Sequence, residues 1–147
     1  MPLLVDYNLD FLDKSWEWLN DPEIKTLTLT PHFTKEDQIN FYNSLPHKAD
    51  YWIKGIIENG KPIGAMGLKH ITKTEAEYWG YIGDKEYWGK GIGSFMMKEA
   101  IIKAKAFGLE KIYLKVSAQN TRAKQLYSKM GFQINISGAI EKYELNL

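Results

Sequence analysis

Three glycines at alternate positions, Gly89, Gly91 and Gly93, stand where the sequence could hold a charged ligand. They follow a strand-like run at 77–82 and precede a long amphipathic segment at 95–107. Because glycine has no side chain, a ligand can approach the backbone N–H groups closely. A helix after the glycines adds unpaired N–H donors and a partial positive charge in its first turn. A strand, a glycine turn and a helix N-terminus together predict a phosphate or pyrophosphate site.

The glycine spacing excludes the two commonest nucleotide-binding motifs. A Walker loop needs Gly-x-x-x-x-Gly-Lys-Ser/Thr, and the dinucleotide fingerprint needs Gly-x-Gly-x-x-Gly. Neither string occurs in this sequence. A plain strand-to-helix turn without a ligand stays open as the alternative, because short motifs also arise by chance.

The composition is that of an ordinary globular domain. The 147 residues suit a single domain, 1–147, with one core. A hydrophobic fraction of 44% and a charged fraction of 25% are typical of soluble proteins. No apolar run is long enough to span a bilayer, and no basic stretch followed by an apolar one begins the chain. We therefore expect a cytoplasmic protein without a membrane partner.

Charge and cysteine usage exclude further classes of site. The formal net charge is +1, and Arg122 is the only arginine, so a nucleic-acid surface is not expected. The absence of cysteine excludes disulfides, zinc–thiolate sites and cysteine nucleophiles.

Periodicity predicts the elements of the first third of the chain. A short strand at 3–5 precedes a helix that Asp10 caps and residues 20–22 end. The threonine-rich piece at 26–33 is expected to be an ordered loop. Thr34 and Asp37 form the pattern of a capping box at the start of a second helix.

The rest of the chain alternates strands with two more helices. Asn59-Gly60 predicts a hairpin turn, Gly108 ends the helix after the glycine loop, and Asn120 caps another. In that helix after the glycine loop, Phe95, Ile101, Ile102 and Phe107 are expected to face the sheet. The predicted strands are 51–57, 63–71, 75–83, 111–116, 132–136 and 139–145. The order β, α, α, three antiparallel strands, α, β, α, β, β indicates one α/β domain with a mixed sheet.

Two segments resemble the signatures of the GNAT superfamily of N-acetyltransferases. Residues 87–94, Tyr-Trp-Gly-Lys-Gly-Ile-Gly-Ser, resemble its acetyl-CoA pyrophosphate loop. Residues 120–132 resemble its later Asn-x-x-Ala-x-x-Leu-Tyr-x-x-x-Gly-Phe signature. Trp88 stands where the family usually has Gln or Arg, a form common in one branch. The resemblance implies a mixed, mostly antiparallel central sheet flanked by about four helices.

The resemblance also implies acetyl-CoA as co-substrate, direct acetyl transfer to a primary amine, and no metal. The strand before the loop is expected to splay from its neighbour and to pair with the pantetheine, and Gly80 and Gly83 would make a bulge easy. The residues expected to bind the cofactor are Tyr81, Ile82, Gly83, Trp88, Gly89, Lys90, Gly91, Ile92, Gly93, Ser94 and Asn120. For Asn120, helix capping alone is the alternative.

Two residues are candidates for the proton transfers. Tyr127 matches the family's general-acid position, where a phenol can protonate the leaving thiolate. Its alternative is a core tyrosine on an amphipathic helix. Glu77 is the first candidate for the base that receives the amine proton, followed by Glu75 and His70.

The resemblance also implies an acceptor pocket at the first two helices and their connection, here at Trp18, Asn20, His32 and Phe33. This region is aromatic and polar with few acids, which favours an amino sugar or a nucleotide-linked amino sugar over a polyamine. Peptide N-termini are the alternative, although Lys115 stands where that subgroup usually has a glutamate. A non-catalytic acyl-CoA-binding module is the alternative from another class. The protein is expected to be a monomer or homodimer.

Overall fold

In a computed structural model that describes all 147 residues, the chain forms one seven-stranded mixed sheet with helices on both faces. The strands lie in the order β1-β2-β3-β4-β5-β7-β6. The elements are β1 (Leu3–Asp6), α1 (Leu9–Asn20), α2 (Pro22–Leu27), α3 (Lys35–Ser44), β2 (Trp52–Glu58), β3 (Lys61–Lys69), β4 (Glu75–Ile82), α4 (Ile92–Ala106), β5 (Lys111–Ser117), α5 (Thr121–Lys129), β6 (Gln133–Ile136) and β7 (Ile140–Asn146). No helix combines the length and apolar character needed to cross a lipid bilayer.

The sheet opens between β4 and β5. All other neighbouring strands are antiparallel, whereas β4 and β5 are parallel and pair only from Glu75↔Lys111 to Glu77↔Tyr113. Beyond Glu77 the two strands diverge and leave a gap. The mixed, mostly antiparallel sheet that the sequence predicts is thus confirmed.

No bulge lies at Gly80, whereas directly after β4 the N–H groups of Gly83 and Asp84 both donate to the carbonyl of Ile63, as in a β-bulge. The pairing of β4 with β3 runs without a shift from Lys69↔Glu77 to Gly64↔Ile82. The gap opens because β5 pairs with β7 along its whole length while only its first residues reach β4.

One face of the sheet is covered by α4 and α5 and holds the main core. The side of α4 that meets the sheet carries Ile92, Met96, Met97, Ala100 and Ala104, all buried. Small alanines on that side let the helix approach closely. Ile102 and Phe107, which were expected to face the sheet, are instead 61% and 44% exposed. Ile102 lies on the side of α4 opposite Ala100 and Ala104, and Phe107 follows the last residue of the helix.

The other face is covered by α1, α2 and α3. Helix α1 begins after Asn8, whose side chain accepts hydrogen bonds from the backbone N–H groups of Asp10 and Phe11, so Asn8 and not Asp10 is the cap. The capping box of Thr34 and Asp37 is confirmed. The sequence prediction missed α2, which Asp21 caps and Pro22 begins, so the structure has five α-helices where about four were expected.

Candidate active site

A cleft of ≈1180 Å³ passes through the gap between β4 and β5. Residues from both faces of the sheet line it. One part, the loop end, is lined by Ile82, Trp88, Gly89, Gly91, Gly93 and Asn120. The other part, the aromatic end, is lined by Tyr7, Phe41, Tyr51, Trp79 and Tyr81.

The backbone N–H groups at the loop end are free to bind an anion. From Gly89 to Ser94, none of the six N–H groups is hydrogen-bonded to another group of the protein. Gly89 and Gly91 have φ angles of +74° and +80°, a region in which other residues are strained. A Cβ at either position would meet no atom within 4 Å, so the surface above them is open. This row of donors runs into the N-terminus of α4, which adds its partial positive charge.

Trp88 holds the loop against the end of β4. Its indole Nε1–H donates to the carbonyl oxygen of Ile82 at 2.8 Å. The guanidinium of Arg122 lies 5.5 Å from the centre of the Trp88 ring, and Lys85 lies on it at 5.8 Å. The side chain therefore fixes the loop and also lines the cleft. The sequence predicts Trp88 as a cofactor residue but carries no signal for its hydrogen bond to Ile82.

The free edge of β4 presents Gly80 and Ile82 to the gap. The N–H of Gly83 donates to the carbonyl of Ile63 at 2.8 Å, so Gly83 bonds toward β3. Because hydrogen-bonding direction alternates along an antiparallel strand, Tyr81 also bonds toward β3, whereas Gly80 and Ile82 point to the gap. Of the predicted cofactor residues at the end of this strand, Tyr81 and Ile82 line the cleft and Gly83 does not.

Two other predicted cofactor residues, Lys90 and Asn120, differ in where they lie. Lys90 is exposed and lies outside the cleft, beside a smaller cavity of ≈350 Å³. Asn120 lines the cleft, but its Oδ1 accepts from Ala123 N at 3.3 Å and its Nδ2 donates to Leu27 O at 3.5 Å. Its side chain thus caps α5 and ties that helix to α2.

Tyr127 lies in the cleft on the α4/α5 face. Its ring packs against Tyr78, Phe132 and Tyr143 with centroid distances of 6.5, 5.8 and 6.3 Å. Burial raises the pKa of Tyr127 to about 12. The phenol therefore keeps its proton at neutral pH and can act as a hydrogen-bond donor in the cleft.

Glu77 lies at the narrow end of the gap, in the last paired position of β4 and β5. It is 8% exposed, and its carboxylate lies 3.9 Å from Lys69 Nζ and 4.0 Å from His70 Nε2. All three residues line the cleft, whereas Glu75 does not. The structure thus brings two of the three candidate bases to the site. No group of three or more histidine, aspartate or glutamate side chains is arranged to hold a metal ion.

Of the four residues expected to bind the acceptor, only Phe33 lines the cleft. Trp18 is 9% exposed and packs on Gly83 and against Tyr81, so it belongs to the interior. Asn20 donates to Trp16 O within α1, and His32 is exposed outside the cleft. The structure thus places Trp18, Asn20 and His32 away from the cleft, and their role in binding the acceptor stays a prediction. Trp16, also on α1, is more exposed than Trp18 and meets Phe33 edge-on at 5.4 Å.

Sequence reasoning missed the aromatic end of the cleft. Trp79 and Tyr81 are two residues apart on a strand and therefore share a face, a signal that was present in the sequence. Tyr7 and Tyr51 lie far from them in the chain and gave no local signal.

The family model of the Acetyltransferase (GNAT) family matches residues 12–132. Among curated proteins, the chain is 28% identical over 98 residues to GCN5-related N-acetyltransferase 6, chloroplastic, from Arabidopsis thaliana, covering 64% of this chain and 34% of that protein. The chain spans between 24% and 36% of the length of the curated relatives it matches.

Solved structures share the fold at low sequence identity. Spermidine N-acetyltransferase from Vibrio cholerae, in complex with CoA and spermine, has a TM-score of 0.87 and 21% identity, covering 99% of this chain and 95% of its own. N-acetyltransferase PseH from Campylobacter jejuni, in complex with acetyl coenzyme A, has a TM-score of 0.75 and 18% identity, covering 99% of both chains. With the signature loop, the divided sheet and the match over most of its length, the chain belongs to the acetyltransferase (GNAT) family.

Proposed function

We propose that this protein is an acetyl-CoA-dependent N-acetyltransferase that moves acetyl directly to the primary amine of an amino sugar, best in nucleotide-linked form. One observation carries the proposal. The row of free N–H groups at Gly89–Ser94 and the phenol of Tyr127 open onto the same gap between β4 and β5. Acetyl transfer from a thioester that carries phosphates requires a site for the anion and an acid for the leaving sulfur, and both lie on this cleft.

The residues of the loop end fit acetyl-CoA, which supplies a thioester as acyl donor. The N–H groups of 89–94 would bind the pyrophosphate, with the N-terminus of α4 behind them. The backbone groups of Gly80 and Ile82 would pair with the amides of the pantetheine arm as an added strand does. These contacts aim the thioester along the gap, and such orientation removes much of the entropic barrier to reaction.

In this proposal Glu77 acts as the base and Tyr127 as the acid of the transfer. The acceptor ammonium loses one proton before its nitrogen attacks the carbonyl carbon, and a second when the C–N bond has formed. Glu77, at the narrow end of the gap, receives an amine proton directly or through water. As the C–S bond breaks, the Tyr127 hydroxyl donates to the sulfur, which leaves as the thiol. The second amine proton then passes through water to the Tyr127 oxygen and restores the phenol, so that one net proton is released through Glu77.

The charges of the cleft favour an acceptor that is not a polycation. Three carboxylates line the cleft, and each is engaged: Glu23 binds Lys85 at 2.9 Å, Asp37 accepts from Thr34 N at 2.9 Å, and Glu77 lies between two basic groups. Among the cations that line the cleft, Lys115 and Lys129 form no ion pair, whereas Arg122 lies against Trp88 at the loop end. A polyamine would find few free acids there, whereas a sugar joined to a phosphate would find free cations.

The two alternatives remain weaker. For peptide N-termini, Lys115 replaces the glutamate that the resembling subgroup uses for the amine proton. For a non-catalytic acyl-CoA-binding module, a buried phenol in the gap is not required, because the loop alone can bind the cofactor.

The test is CoA release from acetyl-CoA with a panel of amines. The panel contains a nucleotide-linked 4-amino sugar, glucosamine, spermidine and a peptide with a free N-terminus, and titration calorimetry measures acetyl-CoA binding separately. We expect turnover with amino sugars and little with spermidine. Turnover with the peptide alone would replace the acceptor, and acetyl-CoA binding without any turnover would favour the binding module.

A further inference from the structure

Three rings at the aromatic end form a continuous surface on the sheet. We call Tyr51, Trp79 and Tyr81 the aromatic strip. The Tyr51 and Trp79 ring centres are 6.3 Å apart, and the Trp79 and Tyr81 centres are 6.4 Å apart. The Trp79 and Tyr81 planes differ by only 26°, so their faces run along the sheet together. All three side chains are half-buried and line the cleft.

The strip is held rigid from below and at both ends. A Cβ on Gly67, the residue opposite Trp79 on β3, would lie 2.9 Å from Trp79 Nε1, so the glycine lets the indole lie against the sheet. Trp18 supports Tyr81 edge-on at 6.2 Å, and Phe41 supports Tyr51 edge-on at 5.9 Å. A surface held in this way needs little ordering when a ligand binds.

The strip also carries polar groups suited to hydroxyls. Burial raises the pKa of Tyr81 and of Tyr51, so both phenols stay neutral and can donate as well as accept. The Tyr81 hydroxyl has no hydrogen-bond partner in the protein. A flat apolar surface edged with phenols matches a pyranose ring, which has a C–H face and a rim of hydroxyls.

We propose that the aromatic strip binds the sugar ring of the acceptor, with the C–H face of the ring on Trp79 and its hydroxyls on Tyr81 and Tyr51. This proposal rests on the proposed function. The strip faces α1–α3 while Tyr127 lies on the opposite face, so the gap beside Glu77 would receive the amine between them. Trp79 is then a specificity-determining residue that binds the sugar ring and takes no part in proton transfer.

The test compares a ring acceptor with a linear one in matched variants. Trp79→Leu removes the central ring, and Trp52→Leu is the control, because Trp52 packs on the other face of the same sheet beside Lys103. We expect Trp79→Leu to raise KM for glucosamine about tenfold or more, with a smaller change in kcat and less than about threefold change in KM for ethanolamine. Acetyl-CoA affinity, measured by calorimetry, should stay unchanged in both variants.

A second variant tests the same proposal if Trp79→Leu folds poorly. Tyr81→Phe removes only the hydroxyl, and we expect it to lower kcat/KM for glucosamine about 3- to 10-fold and to leave ethanolamine unaffected. Equal effects on ring and linear acceptors in both variants would overturn the proposal. If the wild-type protein turns over ethanolamine or peptides but no sugar, the proposed function itself fails. If it turns over glucosamine and both variants keep that activity, only the role of the strip fails.

Discussion

Tyr127 combines a position in the gap with a pKa of about 12, which burial causes. A phenol with this pKa is a weak acid, but it is always protonated where the protein functions. We therefore expect Tyr127→Phe to lower kcat by about 10²- to 10⁴-fold while the Kd for acetyl-CoA changes less than about threefold. Single-turnover kinetics and calorimetry would measure the two effects. In the wild-type pH profile, any fall in kcat below pH 10 should persist in the variant, since Tyr127 does not ionise there.

Tyr143 provides the matched control for Tyr127. Its ring is 6.3 Å from that of Tyr127, but its hydroxyl donates to Glu141 at 3.1 Å and does not line the cleft. Tyr143→Phe should lower stability slightly and leave kcat unchanged. An equal loss of kcat in both variants would show that packing, and not the acid, is responsible.

Glu77 is the candidate base, and Glu75, on the same face of β4, is its matched control. Only Glu77 lines the cleft. We expect Glu77→Gln to lower kcat/KM about 10- to 100-fold near neutral pH, and the deficit should shrink above the pKa of the acceptor amine, where the amine is already neutral. Glu75→Gln should match the wild type in the same pH series. A deficit independent of pH would assign Glu77 to structure, through its contacts with Lys69 and His70.

Among the elements, the loop before α4 depends on the conformation of Gly91. Its φ of +80° disfavours alanine, but an added Cβ would meet no neighbouring atom. The Gly91→Ala variant therefore tests backbone strain without a steric clash. We expect Gly91→Ala to lower stability by about 1–2 kcal/mol and to weaken acetyl-CoA binding several-fold, because the N–H row would shift. Gly108, with φ +76° and open space at the far end of α4, is the control. Gly108→Ala should lose similar stability in thermal unfolding but bind acetyl-CoA normally. Equal binding in both variants would contradict a role for the loop geometry.

Local signals predicted most elements but misplaced some of their ends. The capping box of Thr34, the Asn59-Gly60 turn and the alternating strands are written in short stretches of sequence, and the structure has them. Helix α2 was missed because a proline after a helical pattern normally ends that helix, whereas Asp21 caps a new helix that Pro22 begins. In α4 the face that meets the sheet runs through the small residues Ala100 and Ala104, which give a weak hydrophobic signal, so Ile102 was assigned to that face incorrectly.

The molecule as a whole places residues together that no local pattern connects. The glycine loop and Tyr127 were found because each belongs to a sequence motif. The aromatic end joins Tyr7 before α1, Tyr51 before β2, and Trp79 and Tyr81 on β4, and only the folded sheet brings them to one cleft. Trp18 was assigned to the acceptor because nothing near it in the sequence indicates that it is buried. It packs on Gly83, sixty-five positions later in the chain.

Buried phenols also make the stability of the whole protein sensitive to alkali. Burial is the main cause that raises the pKa of seven tyrosines above 10.0: Tyr7, Tyr51, Tyr78, Tyr81, Tyr113, Tyr127 and Tyr143. Above pH 10 the unfolded chain has lost these protons while the native protein retains them. The unfolded state then binds fewer protons than the native state, so stability falls as pH rises.

The expected result is a free energy of unfolding that is steady from pH 8 to near 10 and falls steeply between 10 and 12. The rise of the Tyr127 pKa from 10.0 to about 12 corresponds to roughly 3 kcal/mol lost across that interval. Urea unfolding at each pH measures the free energy, and absorbance at 295 nm reports phenol ionisation. Tyr127→Phe should be about as stable as wild type at pH 8, since its hydroxyl forms no hydrogen bond within the protein, and should show a shallower alkaline decline, because one of the shifted groups is gone. Parallel declines in the two proteins would mean that Tyr127 is not shielded from solvent, and burial could then no longer explain why its phenol stays protonated.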